Sequence, residues 1–88
     1  MTDEQHLLTI LAEEAAEIAQ QASKAIRFGI DHHRPGTDKS NRDLLEEEFS
    51  DLVAVAQLLN LSTLPYYVAT KKEKVEAMMK ISKQLGEL

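Results

Sequence analysis

Apolar side chains recur in this chain at Leu8, Leu11, Ala15, Ile18, Ala22 and Ala25, alternating steps of three and four. That period matches the 3.6-residue turn of an α-helix and marks a stripe that packs against another helix. It predicts a first helix from about Asp3 to Phe28, capped by Thr2 or Asp3 and ended by Gly29. A second run, Leu44, Leu45, Phe49, Leu52, Val55, Ala56 and Leu59, continues the helical period after Ser40-Asn41-Arg42-Asp43, which offers capping side chains and an acid in the first turn. This second helix is expected to reach about Asn60, with Phe49 packed. Between the two, Ile30 to Lys39 holds Asp31, Pro35, Gly36, Thr37 and Asp38 without periodicity and reads as a long loop, with His32 and His33 on its surface.

Ser62-Thr63-Leu64-Pro65 resembles a helix start, and Val68, Val75, Met78, Met79, Ile81 and Leu85 suggest a third helix ending near Gly86. Thr70-Lys71-Lys72-Glu73 offers a second start, so this helix begins near Leu64 or is divided around Thr70. The fold class expected is therefore all-α: a three-helix protomer forming one domain over residues 1–88. Its first two helices pack antiparallel, with the third bracing them.

With 88 residues and no cysteine, such a chain buries a small fraction of its surface and has no disulfide to compensate. Homodimerisation into a four-helix-bundle core, with a possible further pairing into a tetramer, is the expected remedy. The absence of cysteine also removes thiolate metal sites and cysteine nucleophiles, and it fits a reducing, cytoplasmic setting. A net charge of −5, from 15 acidic against 10 basic residues, disfavours nucleic acid as a partner. No apolar stretch approaches the roughly 20 residues of a membrane span, and the N-terminus lacks the basic region of a signal peptide, so no membrane partner is expected.

The functional signal is acidic. Glu13-Glu14-Ala15-Ala16-Glu17 lies within the first helix and Glu46-Glu47-Glu48-Phe49-Ser50-Asp51 within the second. At ~100° per residue, Glu14 falls within about 40° of the apolar centre of its helix and Glu17 about 60° further round. Glu48 and Asp51 repeat the arrangement, at roughly 35° and 95° from theirs. Acidic runs on helices are ordinarily solvated faces, which suits Glu13, Glu46 and Glu47. Glu14 and Glu48 fit that reading poorly, because a carboxylate at a packing seam is desolvated and four together repel. A divalent cation resolves the conflict, and all-oxygen ligation suits magnesium, with manganese as the alternative.

The pattern Glu13-Glu14-x-x-Glu17 followed by Glu48-x-x-Asp51 resembles the signature of the MazG-like, all-α nucleoside triphosphate pyrophosphohydrolases, nearest to short phage- and bacterium-type members. The likeness extends through Lys24-Ala25-Ile26-Arg27-Phe28-Gly29, Asn41 and Lys71-Lys72-Glu73-Lys74-Val75-Glu76. It implies magnesium-dependent hydrolysis of a nucleoside triphosphate, commonly a deoxynucleotide, to the monophosphate and pyrophosphate, as in nucleotide-pool house-cleaning. Glu14, Glu17, Glu48 and Asp51 match the metal ligands, and one of the two neighbouring carboxylates, Glu13 or Glu47, would orient or deprotonate the attacking water.

Phosphate-facing cations are expected among Lys24, Arg27, Lys71, Lys72 and Lys74, since a triphosphate needs donors beyond a metal. Asn41 is a candidate for reading base or sugar, with helix capping as the competing role. Phosphoribosyl-ATP pyrophosphohydrolase is the rival within the same chemistry. A non-catalytic helical oligomerisation or adaptor module is the rival of another class.

Overall fold

A computed structural model describes all residues from Met1 to Leu88 and contains three helices: α1 (Asp3–Phe28), α2 (Asn41–Leu58) and α3 (Pro65–Gln84). Each boundary has a local cause. Thr2 sits in extended backbone and accepts from the Gln5 amide, while the Gln5 side chain accepts from the Thr2 amide, closing a capping box before α1. Gly29, at φ 99°, ends α1 and returns its N–H to the Ala25 carbonyl at 2.8 Å. Ser40 caps α2 in the same manner, its hydroxyl accepting from the Asp43 amide and the Asp43 carboxylate accepting from the Ser40 amide.

The C-terminus of α2 closes in a Schellman turn. Asn60 adopts φ 60°, a left-handed geometry asparagine tolerates, Leu61 N–H returns to the Ala56 carbonyl at 2.9 Å and Asn60 N–H to Gln57 at 2.9 Å. Pro65 then occupies the first position of α3, where its missing N–H costs nothing. Thr70 does not divide this helix: it lies within a continuous α3, its hydroxyl donating to the Tyr66 carbonyl.

α1 and α2 form an antiparallel hairpin. Leu7 and Leu8 at the start of α1 border the same depression as Leu58 and Leu59 at the end of α2. Leu11, Ile18, Ala22, Leu45, Leu52, Val55 and Ala56 are shielded along the seam, though none is fully buried. The connecting loop folds back on itself. His33 bridges to Ser40, Asn41 N–H donates to the His32 carbonyl at 3.0 Å, Arg42 N–H donates to the Ile30 carbonyl at 2.7 Å, and Arg42 Nε meets Asp31 at 2.9 Å.

Two expectations fail here. α3 makes no contact with α1 or α2, so it does not brace the hairpin. The Schellman turn sends the chain away, and the short connection from Leu59 to Leu64 supplies nothing to fold it back. Phe49 is 60 % exposed rather than packed, because its position on α2 lies to the side of the seam. The molecule measures 49 × 41 × 19 Å, with a radius of gyration of 16.3 Å. A compact domain of this length would have about 12 Å. No apolar side chain is fully buried, and no helix is long and apolar enough to cross a membrane.

Candidate carboxylate metal site

The acidic motifs meet at mid-hairpin. Carboxylate oxygens of Glu14, Glu17 and Glu48 lie within 4.8 Å of one another, two from α1 and one from α2. The cause is phase. Glu13, Glu14 and Glu17 occupy the same relative positions on α1 as Glu47, Glu48 and Asp51 on α2. Glu14 and Glu48 therefore enter the seam, while Glu17 and Asp51 are each turned about 60° to one side. In an antiparallel pair, equal turns in the same sense fall on the same side, so the hairpin acquires an acidic face. Its opposite face carries Ala15, Ala19 and Ala22 from α1 and Phe49, Val53 and Ala56 from α2.

Burial separates these carboxylates from an ordinary solvated run. One oxygen of Glu14 and one of Glu48, Oε2 in each case, are shielded from solvent and have no hydrogen-bond partner. An unpartnered buried carboxylate oxygen is costly as an anion. Glu14 is held above its ordinary 4.5 chiefly by desolvation, then by the charges of Glu17 and Asp51. Glu48 is raised foremost by the Glu17 carboxyl close beside it, then by desolvation and by the charges of Glu17, Asp51 and Glu14. Two orphaned oxygens facing a cluster of acids, with no cation of the chain bonded to any of them, form a donor set that fits a hard divalent ion. Asp51 is near enough to act on both raised groups but stands outside the three-residue cluster.

Glu47 and Glu13 differ in surroundings. Lys39 Nζ donates to Glu47 Oε1 at 2.6 Å, and the pair lines an entirely polar cleft with Asp43, Glu46, Ser50 and Asp51. Glu13 is exposed and has no side-chain bond. Lys39 was not among the cations anticipated. Its separation from Glu47 crosses a loop end, and only the folded-back loop brings the two together.

The cations are scattered. Lys24 lines a depression of about 350 Å³ with Phe28, His32, Arg34 and Pro35 at the loop end of α1. Arg27 lies over the Phe28 ring at 5.4 Å, and that ring stacks on His32 at 6.0 Å. Lys71 and Lys74 line a small cleft with Tyr67 and Thr70 on α3, and Lys72 lies beside them in sequence. Because α3 stands clear of the hairpin, none of these three lysines reaches the carboxylates within one chain.

Asn41 is turned inward. It is the first helical residue of α2, and the cap itself belongs to Ser40, whose extended backbone places its hydroxyl over the free amides. The Asn41 amide is 3 % exposed, donates to the Gly29 carbonyl at 2.8 Å and accepts from Gln21 Nε2 at 3.0 Å. Gln21, Ser40 and Asn41 are the three buried residues of the molecule, and all are polar. The role of Gln21 escaped the reading of the sequence, although its position seven residues beyond Glu14 places it on the same helix face.

No family model matches this chain, and no curated protein and no solved structure matches it either.

Proposed function

We propose that this protein is a magnesium-dependent nucleoside triphosphate pyrophosphohydrolase, with deoxynucleoside triphosphates as the favoured substrates. The single observation that carries this reading is the pair of orphaned, solvent-shielded oxygens on Glu14 and Glu48 facing Glu17 across the hairpin. The resemblance of the two acidic motifs to the MazG-like enzymes supplies the reaction.

In this reading Glu14, Glu17, Glu48 and Asp51 hold the ion, with manganese able to replace magnesium. When bound, the ion neutralises charge on phosphate oxygens and lowers the pKa of water. Glu47, held beside Asp51 by Lys39, or Glu13, which is free, orients the attacking water and accepts its proton. Oxygen from that water bonds to the α-phosphorus, the α–β anhydride bond breaks, and pyrophosphate leaves with the bonding pair. Lys24 and Arg27 contribute positive charge toward the phosphates, and Asn41 supports the hairpin beneath them.

Two copies form the working unit, their Ala15, Ala19, Ala22, Phe49, Val53 and Ala56 faces closing a four-helix core. Support comes from area. The chain exposes 7231 Å², whereas a compact monomer of 9.9 kDa exposes about 5200 Å². The excess is of the size that obligate homodimers bury.

The test is turnover. Purified protein is incubated with magnesium and a panel of ribo- and deoxynucleoside triphosphates, and with phosphoribosyl-ATP, and the products are separated. Monophosphate plus pyrophosphate is expected from the deoxynucleotides, and Glu48→Ala or Asp51→Ala should abolish it. Release of orthophosphate, hydrolysis of phosphoribosyl-ATP alone, or wild-type turnover by both variants contradicts the reading. Absence of turnover and of any magnesium-linked stabilisation favours the non-catalytic module.

A further inference from the structure

α3 is the part of the molecule that the hairpin does not explain. Its stripe Leu64, Val68, Lys71, Val75, Met78, Ser82 and Leu85 advances in steps of four and three, the seam of a helix that packs along another. Every apolar member of that stripe is exposed. Lys71 stands in the middle of it, so whatever covers the stripe must answer a positive charge.

Charge is divided between the two parts of the chain. α1 and α2 together carry ten acidic residues against three basic, whereas α3 carries five lysines against two glutamates. Pairing α3 with a second α3 would set Lys71, Lys72 and Lys74 against one another. The surface that complements it is an acidic helical hairpin. Its own hairpin is not the one it meets, because the Schellman turn at Leu59-Asn60-Leu61 directs the chain away.

The exposed area points to a second copy as the occupant. The one excess of about 2000 Å² per chain covers α3 and the apolar hairpin face together, and surfaces able to cover both belong to this same chain. We propose that α3 is an exchanged arm: it lies across the acidic face of the hairpin of a second copy, reciprocally, and brings Lys71 and Lys74 to that copy's carboxylate site. The exchange stands on area, charge and apolar pattern; the place of the lysines at the site rests on the pyrophosphohydrolase reading. The second copy then supplies cations that one chain cannot deliver to its own site.

The chain has no cysteine, so introduced thiols report contacts without background. Ala54, exposed on α2 and turned about 120° from Glu48 toward the acidic side, and Val75 on α3 are the two positions. Ala54→Cys and Val75→Cys chains, each checked for helicity, are unfolded together, refolded as a mixture and oxidised. A disulfide-linked dimer that requires both variants supports the exchange. Linking of Val75→Cys with itself, an intrachain disulfide in the doubly substituted chain, or no linkage in the mixture overturns it.

Complementation then tests the lysines. Glu48→Gln and Lys71→Ala/Lys74→Ala are each inactive alone, and an equal mixture regains about a quarter of wild-type turnover if half the dimers are mixed and each has one intact site. A mixture as inactive as its components overturns the placement of the lysines, while the disulfide result continues to decide the exchange. Wild-type protein without turnover removes the pyrophosphohydrolase reading and leaves the disulfide result standing.

Discussion

Gln21 Nε2 donates to Asn41 Oδ1 at 3.0 Å, and through Asn41 Nδ2 the same amide pair holds the carbonyl of Gly29 at 2.8 Å. The bond ties α1, the loop and α2 together one helical turn from Glu17. A buried polar pair in a seam lined mainly by aliphatic side chains discriminates against other registers, because a slip leaves its donors and acceptors unpaired.

Asn41→Ala is expected to destabilise the fold by about 1–3 kcal/mol, the cost of leaving buried partners unsatisfied. Chemical denaturation of Gln21→Ala, Asn41→Ala and the double variant measures the coupling. A double variant less stable than the wild type by the full sum of the two single effects would show that the residues act independently.

Ser40→Ala is expected to cost about 1 kcal/mol, by removing a helix cap. The loss should appear as lower α2 helicity and faster amide exchange near Asp43, with α1 unaffected. Thr2→Ala acts on α1 in the same way, with a smaller global effect because that end frays without opening the seam.

The pH dependence of stability divides into two windows. Folding raises Glu14 and Glu48 above their ordinary 4.5, so the folded state binds more protons there than the unfolded state. Metal-free protein therefore loses stability as pH rises from 4.5 through the raised values of these groups. Asp43, lowered by the Ser40 amide and hydroxyl, and Asp31, lowered by Arg42, act oppositely. Their contribution is complete above the ordinary 3.8 and is lost as pH falls through their depressed values. Thermal melts across pH check both windows, and saturating magnesium should abolish or reverse the first while leaving the second.

Assembly carries its own expectation. Sedimentation should give a mass of about twice 9.9 kDa or a multiple of it, and the melting temperature should rise with protein concentration. Val53→Glu, placed on the apolar face and away from the acids, is expected to shift the species toward monomer.

The ends of the helices were legible because caps are local. Thr2 with Gln5, Ser40 with Asp43, and Gly29 announce themselves within a single turn of the boundaries they set. The approach of Glu14, Glu17 and Glu48 to one another was legible for a related reason: Glu14 and Glu48 share the phase of the apolar stripes, and phase survives in sequence. That α3 and Phe49 stand exposed was not legible. A stripe of apolar residues states that a face can be covered and not whether its own chain covers it. Lys39 and Gln21 were missed because their partners, Glu47 and Asn41, are reached through the folded-back loop and across the seam, where no short-range pattern records them.

The central claim is that Glu14, Glu17, Glu48 and Asp51 together hold a divalent cation, and equilibrium binding of Mn²⁺ followed by its EPR signal tests it directly. Wild-type protein should deplete the free-ion signal to saturation with at least one ion per chain, magnesium should compete, and Glu14→Gln/Glu48→Gln should lose the binding while remaining helical. Equal Mn²⁺ uptake by the wild type and that double variant would contradict the claim.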